Sequence, residues 1–353
     1  MLEKMKRPGF LILAGATLLF LLLTRSFSGT FGFLILFGIP YFAMSDMPPY
    51  TTPLQKFGKY AFLATCTMIF IFLIMPILVI IPLSFNAEPY FSFTEGMMAL
   101  DANAYSTRWY TDILHFGMTN PNGTENWWSD MWENATWIRA MRNSFFFALV
   151  SALLATAIGT LAALGLSRSE MPFRAAITSL LISPMIVPLV ITATGMFFFY
   201  STKNFFPFFP DGLVNTNIGI ILAHATLGVP FVIITVTATL SGFDQSLIRA
   251  SQGLGANGWT TFTKVIMPLI TPGMISGALF AFITSLDEVV AVIFLADVDQ
   301  RTIPRQMFSG LREQISPTIL SVATILVLMS VILLTMVELL RRRSERLRGL
   351  SPG

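Results

Sequence analysis

The sequence predicts an all-α polytopic membrane protein with about eight transmembrane helices, and three observations carry that expectation. The composition is 54% hydrophobic and only 12% charged, with a mean hydropathy of +0.70; soluble domains carry about twice that charged fraction. Charge-free runs of about 20 residues, the length that crosses the hydrocarbon core, recur along the chain. The few Lys and Arg residues gather on one side when those runs are threaded alternately through a membrane, the bias that orients such proteins. These features exclude a soluble globular enzyme, a disordered chain and a disulfide scaffold. The single Cys66 permits no intramolecular disulfide. A net charge of +3 is too small to point to nucleic acid.

Taken in order, two short apolar runs open the chain, at 8–24 and 26–45, separated by Arg25. They read as a tight N-terminal membrane hairpin. A signal peptide on residues 1–25 is the rival reading, since Lys4, Lys6 and Arg7 precede an apolar core. It is disfavoured because a second apolar run follows at once and no A-x-A-like site is evident. Six longer runs follow, at 61–87, 143–167, 175–202, 212–243, 265–286 and 314–337. Each is long enough to cross once and too short to cross twice. Pro76 and Pro82 in the first, and Pro184 and Pro188 in the third, are expected to kink their helices. The Gly- and Ala-rich stretch at 151–165 suits close helix packing. The loop at 88–142 holds Trp109, Trp127, Trp128, Trp132 and Trp137, and is expected to lie partly along the membrane–water boundary that such aromatics favour.

With the N-terminus inside, the inner segments hold fourteen Lys and Arg against six acidic residues, and the outer segments eight against thirteen. The inner side then carries +8 and the outer −5, recovering the net +3. The Arg341, Arg342, Arg343, Arg346 and Arg348 cluster after the last span anchors both termini in the cytoplasm.

The inner loop at 241–268 carries Leu247, Ala250 and Leu254 at i, i+3, i+7, one face of a short helix. Gly255 supplies a helix stop or a left-handed turn, and Trp259 and Phe262 open a second short segment. An apolar stripe outside the bilayer packs against protein, either this chain's own helix ends or a partner. Within the fifth long span, Ser285 precedes Asp287 and Glu288. Intramembrane carboxylates cost several kcal/mol unless they face protein or water. Placed about 100° apart on one helix, they read as a cation-attracting pair on a translocation path, or as a buried ion pair or helix N-terminal contact that holds a permease dimer together. Other chemistry is missing: Gly58-Lys59 lacks the rest of a Walker sequence, His115 and His224 form no zinc motif, and no G-x-S-x-G elbow occurs. The chain is expected not to be an enzyme. A secondary transporter is disfavoured by the lack of a clear internal repeat.

The inner loop resembles the EAA motif, E-A-A-x3-G-x9-I-x-L-P, of the permease subunits of binding-protein-dependent ABC importers. Arg249-Ala250-Ser251 is followed after three residues by Gly255 and after nine more by Val265-Ile266-Met267-Pro268. Asp244, Leu247, Leu254 and Ala256 also look like the family's surroundings. Arg249 stands in place of the family Glu and Ser251 in place of Ala, so a contact made through that Glu must differ here. Thr284-Ser285-Leu286-Asp287-Glu288, Arg301-Thr302-Ile303-Pro304 and Ile315-Ser316-Pro317 are similar to the spermidine/putrescine branch. So are Arg108-Trp109-Tyr110 and Asn143-Ser144.

The resemblance covers residues 60–348 and implies a six-helix permease core, with 1–59 as an N-terminal addition and 349–353 as a tail. It implies ATPase coupling through Asp244, Leu247, Arg249, Ala250, Ser251, Leu254, Gly255, Ala256 and Pro268, and a substrate pathway past Ser285, Asp287 and Glu288. The implied partners are a second homologous permease chain, two ATPase subunits, a periplasmic substrate-binding protein and membrane lipid. No cofactor is expected on this chain, ATP and Mg belonging to the ATPase. The implied location is a bacterial inner membrane. The solute is expected to be a polyamine such as spermidine or putrescine; phosphonate, opine, thiamine and ferric ion are the alternatives.

Overall fold

The computed structural model describes residues 50–123, 125–168, 170–242, 246–313 and 316–347. The expected N-terminal hairpin, Asp244, Ile315, Arg348 and the tail lie outside the described residues. The chain divides into two compact units, one ending at Leu83 and one beginning at Ser84.

The first unit contributes α1 (Pro53–Leu83), a 31-residue helix with Pro76 and Pro82 inside it. It is apolar on all sides, and most of its large side chains are exposed. In hydrocarbon only a helix satisfies every backbone donor and acceptor within one segment.

The second unit opens with a long connection that contains α2 (Arg108–His115) and α3 (Trp127–Asn134). Its polar atoms are met locally. Trp109 Nε1 donates to the Asn86 carbonyl at 2.7 Å, and the Tyr110 and Ser84 hydroxyls lie 2.7 Å apart. Asp130 accepts from the Thr119 and Asn120 backbone N–H groups and from the Asn134 amide. These bonds, that from Asn120 foremost, hold its carboxyl below the ordinary value of 3.8. The five Trp residues expected at the membrane boundary divide instead by role. Trp128 and Trp132 are exposed, whereas Trp137 is buried in a core with Ile113, Ala140 and Ile303.

Next come α4 (Thr136–Leu166), α5 (Arg174–Ile182), α6 (Leu189–Tyr200) and α7 (Asn217–Ser241). α4 begins seven residues before the expected charge-free run, because Arg139 and Arg142 find partners at its end: Arg139 pairs with Asp299 at 3.2 Å, and Arg142 lies over the Trp132 ring. The run at 175–202, expected to cross once with a kink at its prolines, forms a sharply bent helix pair. α5 and α6 are bent by 98° across a single 3₁₀ turn at Ser183–Met185. Pro184 and Pro188 remove two backbone donors there, and Pro188 adopts an extended ψ of 127°, so a continuous helix cannot form.

The remaining helices are α8 (Ser246–Gly253), α9 (Gly258–Thr261), α10 (Met267–Asp287), α11 (Val290–Leu295), α12 (Ile303–Glu313) and α13 (Thr318–Leu347). Among the described residues five helical stretches are long and apolar enough to cross a membrane, six with the bent pair, and no strand occurs.

α4, α7 and α10 form the frame. Lipid tails are as apolar as Leu, so helices associate through close contact of small residues rather than through exclusion of water. A Cβ on Gly159 of α4 would sit 2.7 Å from Val232 Cβ of α7, and one on Gly228 of α7 would sit 2.9 Å from Ala281 Cβ of α10 and 3.2 Å from Ala155 Cβ of α4. One on Gly277 of α10 would meet Val232 Cα at 2.8 Å. The Ser151 hydroxyl adds a bond to the Ile221 carbonyl across α4 and α7 at 3.1 Å. Gly159→Ala is therefore expected to destabilise the purified protein by about 1–3 kcal/mol, as overpacking does. Gly165→Ala, with open space at the same helix's end, is expected to cost nothing and to gain up to about 1 kcal/mol in helix propensity. Thermal unfolding of both variants in detergent checks the pair.

Candidate functional site

At the Leu166 end of the frame, the chain leaves α7 and forms α8. The helix is closed by a two-bond turn: Ala256 N–H donates to the Ser251 carbonyl at 3.1 Å, and Gly255 N–H to the Gln252 carbonyl at 2.9 Å. This is the Schellman pattern, which requires a left-handed residue. Gly255 has φ +84° and a Cβ there would meet nothing, so backbone conformation rather than space demands glycine. The turn projects Leu254, 89% exposed, beside the exposed Leu247, Arg249 and Ala250. Ser251 faces inward, where its hydroxyl lies 3.0 Å from that of the buried Thr261 and ties α8 to α9. Asn257 caps α9 through Thr260 N–H at 2.8 Å. Pro268 stands at the start of α10, just after a π-helical turn at Phe262–Ile266; the wider turn accommodates a residue without an N–H. Eight of the nine residues expected in the coupling loop thus fall on one short helix, its turn and the entry to α10. The ninth, Asp244, is outside the described residues.

The acidic pair does not share a helix face, a correction to the expectation of two carboxylates about 100° apart on one continuous helix. α10 ends at Asp287, and Glu288 is extended at φ −73°, ψ 121°. Asp287 is exposed. Glu288 is 6% exposed, and its Oε1 accepts the Ala291 N–H of α11 at 2.8 Å. A buried carboxylate needs donors, and the free N–H groups of a new helix start supply them; a continuous helix would have none to give. Glu288 thus makes a helix N-terminal contact within this chain. Ser285 is buried in α10, and its hydroxyl lies 2.6 Å from Nδ1 of the buried His224 in α7. This cross-helix pair was missed in the sequence, where the residues stand 61 apart. The signal was a histidine inside an apolar span, itself a marker of a polar contact.

The remaining motif fragments converge at the Thr136 end of the frame. Asn143 Nδ2 donates to the Asp299 and Arg301 carbonyls at 2.8 and 3.1 Å, and Ser144 Oγ accepts the Ile303 N–H at 2.8 Å. Thr318 donates its hydroxyl to Asp112 of α2, just after Arg108-Trp109-Tyr110. Asp112, Arg301, Gln306, Ser316 and Thr318 line one cavity of about 270 Å³. Among the described residues, no group of three or more metal-ligating side chains comes together.

Residues 155–346, more than half of the chain, match the family described as the binding-protein-dependent transport system inner membrane component. The chain belongs to that family. It is an inner-membrane, multi-pass permease of an ABC importer, of the spermidine/putrescine branch. The spermidine/putrescine transport system permease protein PotC of Haemophilus influenzae is 27% identical over 281 residues, covering 79% of this chain and 95% of that protein. The sulfate transport system permease protein CysT of Escherichia coli is 28% identical, covering 62% of this chain and 83% of that protein. Among solved structures, a bacterial ABC transporter that imports the acidic polysaccharide alginate shares the fold. It has a TM-score of 0.56 at 16% identity and covers 84% of this chain and 99% of that chain.

Within this permease family the matched stretch includes α4 from residue 155, α7, the α8 turn and all of α10. The Ser251 that replaces the motif's Ala is accommodated because Thr261 supplies a hydroxyl partner. Arg249, in place of the motif's Glu, is exposed and free to meet a different partner group. For the acidic pair, Glu288→Ala is expected to lose about 1–2 kcal/mol, as loss of a helix cap does. Glu288→Gln keeps an acceptor and most of that stability, and Asp287→Asn leaves stability unchanged. Unfolding temperatures of the three detergent-solubilised variants test this order.

Proposed function

We propose that this chain is one of two homologous permease subunits through which a polyamine, spermidine or putrescine, enters the cytoplasm by alternating access. An external binding protein delivers the solute, and two separate ATPase subunits, which hold ATP and Mg, drive the cycle. The observation that carries this reading is α8, a short helix whose Leu247 and Leu254 are exposed outside any span and whose turn is set by Gly255 at φ +84°. An apolar helix face without lipid wants a protein surface, and the family's transport depends on partner proteins by its description. Asp244, Arg249, Ala250, Ser251, Ala256 and Pro268 shape that coupling element, and α8 sits in a cleft of the ATPase.

The charge bias of +8 against −5 supports cytoplasmic placement of α8 and of both termini. The Asp299–Ile303 end then faces the periplasm. The polyamine assignment is supported by the PotC likeness at 27% identity and by the exposed carboxylate of Asp287, which attracts a cation at the end of α10. Glu288 shapes the same path by ending that helix, and Ser285 lines it from within. Residues 60–348 form the permease core.

Two measurements test the reading. Leu254→Glu or Gly255→Asp is expected to abolish co-purification with the ATPase while the permease still folds; retained association at the wild-type ratio contradicts it. In proteoliposomes holding the whole importer, Asp287→Asn is expected to raise the KM for spermidine about tenfold, the loss of one charged contact of ~1.4 kcal/mol. An unchanged KM removes Asp287 from the path.

A further inference from the structure

The cavity of about 270 Å³ between α2, α4, α12 and the start of α13 is lined by one acidic and one basic side chain, Asp112 and Arg301. On one wall, Thr318 donates its hydroxyl to Asp112 Oδ2 and the Ser316 hydroxyl lies 2.8 Å from Thr318, while Ser316 Oγ also accepts the Thr318 N–H. Because the Thr318 proton goes to Asp112, Ser316 must donate to Thr318. The hydroxyls are therefore used up, and Asp112 Oδ1 remains as an uncommitted acceptor. On the other wall, Arg301 Nη1 donates to Gln306 Oε1 at 3.3 Å, while Arg301 Nε is buried with no hydrogen-bond partner. Gln306 is 7% exposed and, with its oxygen engaged, keeps its amide N–H₂ as a donor. Asp112 and Arg301 line the same space, yet no ion pair joins them. The apolar sides are Phe116, Trp137 and Ile319.

Arg301 Nε is closed off from the cavity as well, so Arg301 meets a ligand only through its terminal guanidinium nitrogens. A bare cation suits Asp112 and is repelled by Arg301, and a bare anion does the reverse. A ligand with an ammonium at one end and a carboxylate at the other satisfies both walls at once and brings no net charge. We propose that this cavity is a binding site for a small zwitterionic amino carboxylate, its carboxylate on Arg301 and Gln306 and its ammonium on Asp112. Arg301 offers the paired donor geometry that matches a carboxylate, and Phe116, Trp137 and Ile319 enclose the short carbon chain. The site is separate from the polyamine path, whose acidic group lies at the end of α10, and does not depend on that assignment.

The test is isothermal titration of the full-length detergent-purified chain with alanine, γ-aminobutyrate, acetate and putrescine. Saturable binding of at least one of the two zwitterions is expected, with acetate and putrescine weaker. Arg301→Met and Asp112→Asn are each expected to weaken that zwitterion about tenfold or more, the effect of deleting one charge-assisted hydrogen bond. Arg301→Lys is expected to restore part of the loss and to report that the site folds. Equal binding of acetate and alanine, binding of putrescine alone, or no binding at all overturns the proposal. Putrescine binding alone does so while leaving the polyamine reading intact.

Discussion

The close approach of α4, α7 and α10 is the constraint on which the rest of the molecule depends. In a bilayer there is no water to drive helices together. The frame is held by backbone-to-backbone contact, which Gly159, Gly228 and Gly277 permit because anything larger would collide with Val232, Ala281 or Ala155. Such an interface transmits rather than absorbs displacement, since packed small residues leave no side chains to rearrange. The elements with proposed roles are attached at the two ends of this frame. The α8 turn lies beyond Ser241 of α7, and the Asp299–Ile303 segment is bound to Asn143 and Ser144 of α4.

Several polar groups inside the apolar body have a partner that decides local shape. Glu288 ends α10 because only a fresh helix start can satisfy its buried carboxylate. His224 and Ser285 meet across α7 and α10, so the frame carries a polar contact close to the acidic residues. At the other end, Ser251 and Thr261 brace α8 against α9, and α9 runs on into α10 through the π-helical turn. A continuous connection of this kind is what a passive gate needs if an external ATPase is to move it.

Much of this was legible in the sequence. The six longer charge-free runs each coincide with a long apolar helix or, at 175–202, with the bent pair, because a span is defined by composition over a length the bilayer sets. The i, i+3, i+7 stripe ending in Gly255 located α8 and its turn, because both are local. The bend between α5 and α6 was visible as two prolines, but its 98° magnitude was not, since a proline permits a break whose angle is set by neighbouring helices. The split between Asp287 and Glu288 was hidden for a similar reason. Nothing in the run Asp287-Glu288-Val289-Val290 breaks a helix by propensity; the break arises from the carboxylate's need for donors in a buried place. The pairing of His224 with Ser285 and the gathering of Asp112, Arg301 and Thr318 are long-range, and no spacing rule reaches them.

If the charge bias sets the topology, the α8 turn and the Asp299–Ile303 segment face opposite sides of the membrane. The most direct measurement is thiol labelling of Leu254→Cys and Asp299→Cys, each in a background with Cys66 replaced by Ser, using a membrane-impermeant maleimide on intact spheroplasts. The account predicts that Asp299→Cys reacts at once and that Leu254→Cys reacts only after the membrane is opened. Labelling of Leu254→Cys from outside, or of both positions from the same side, would contradict it.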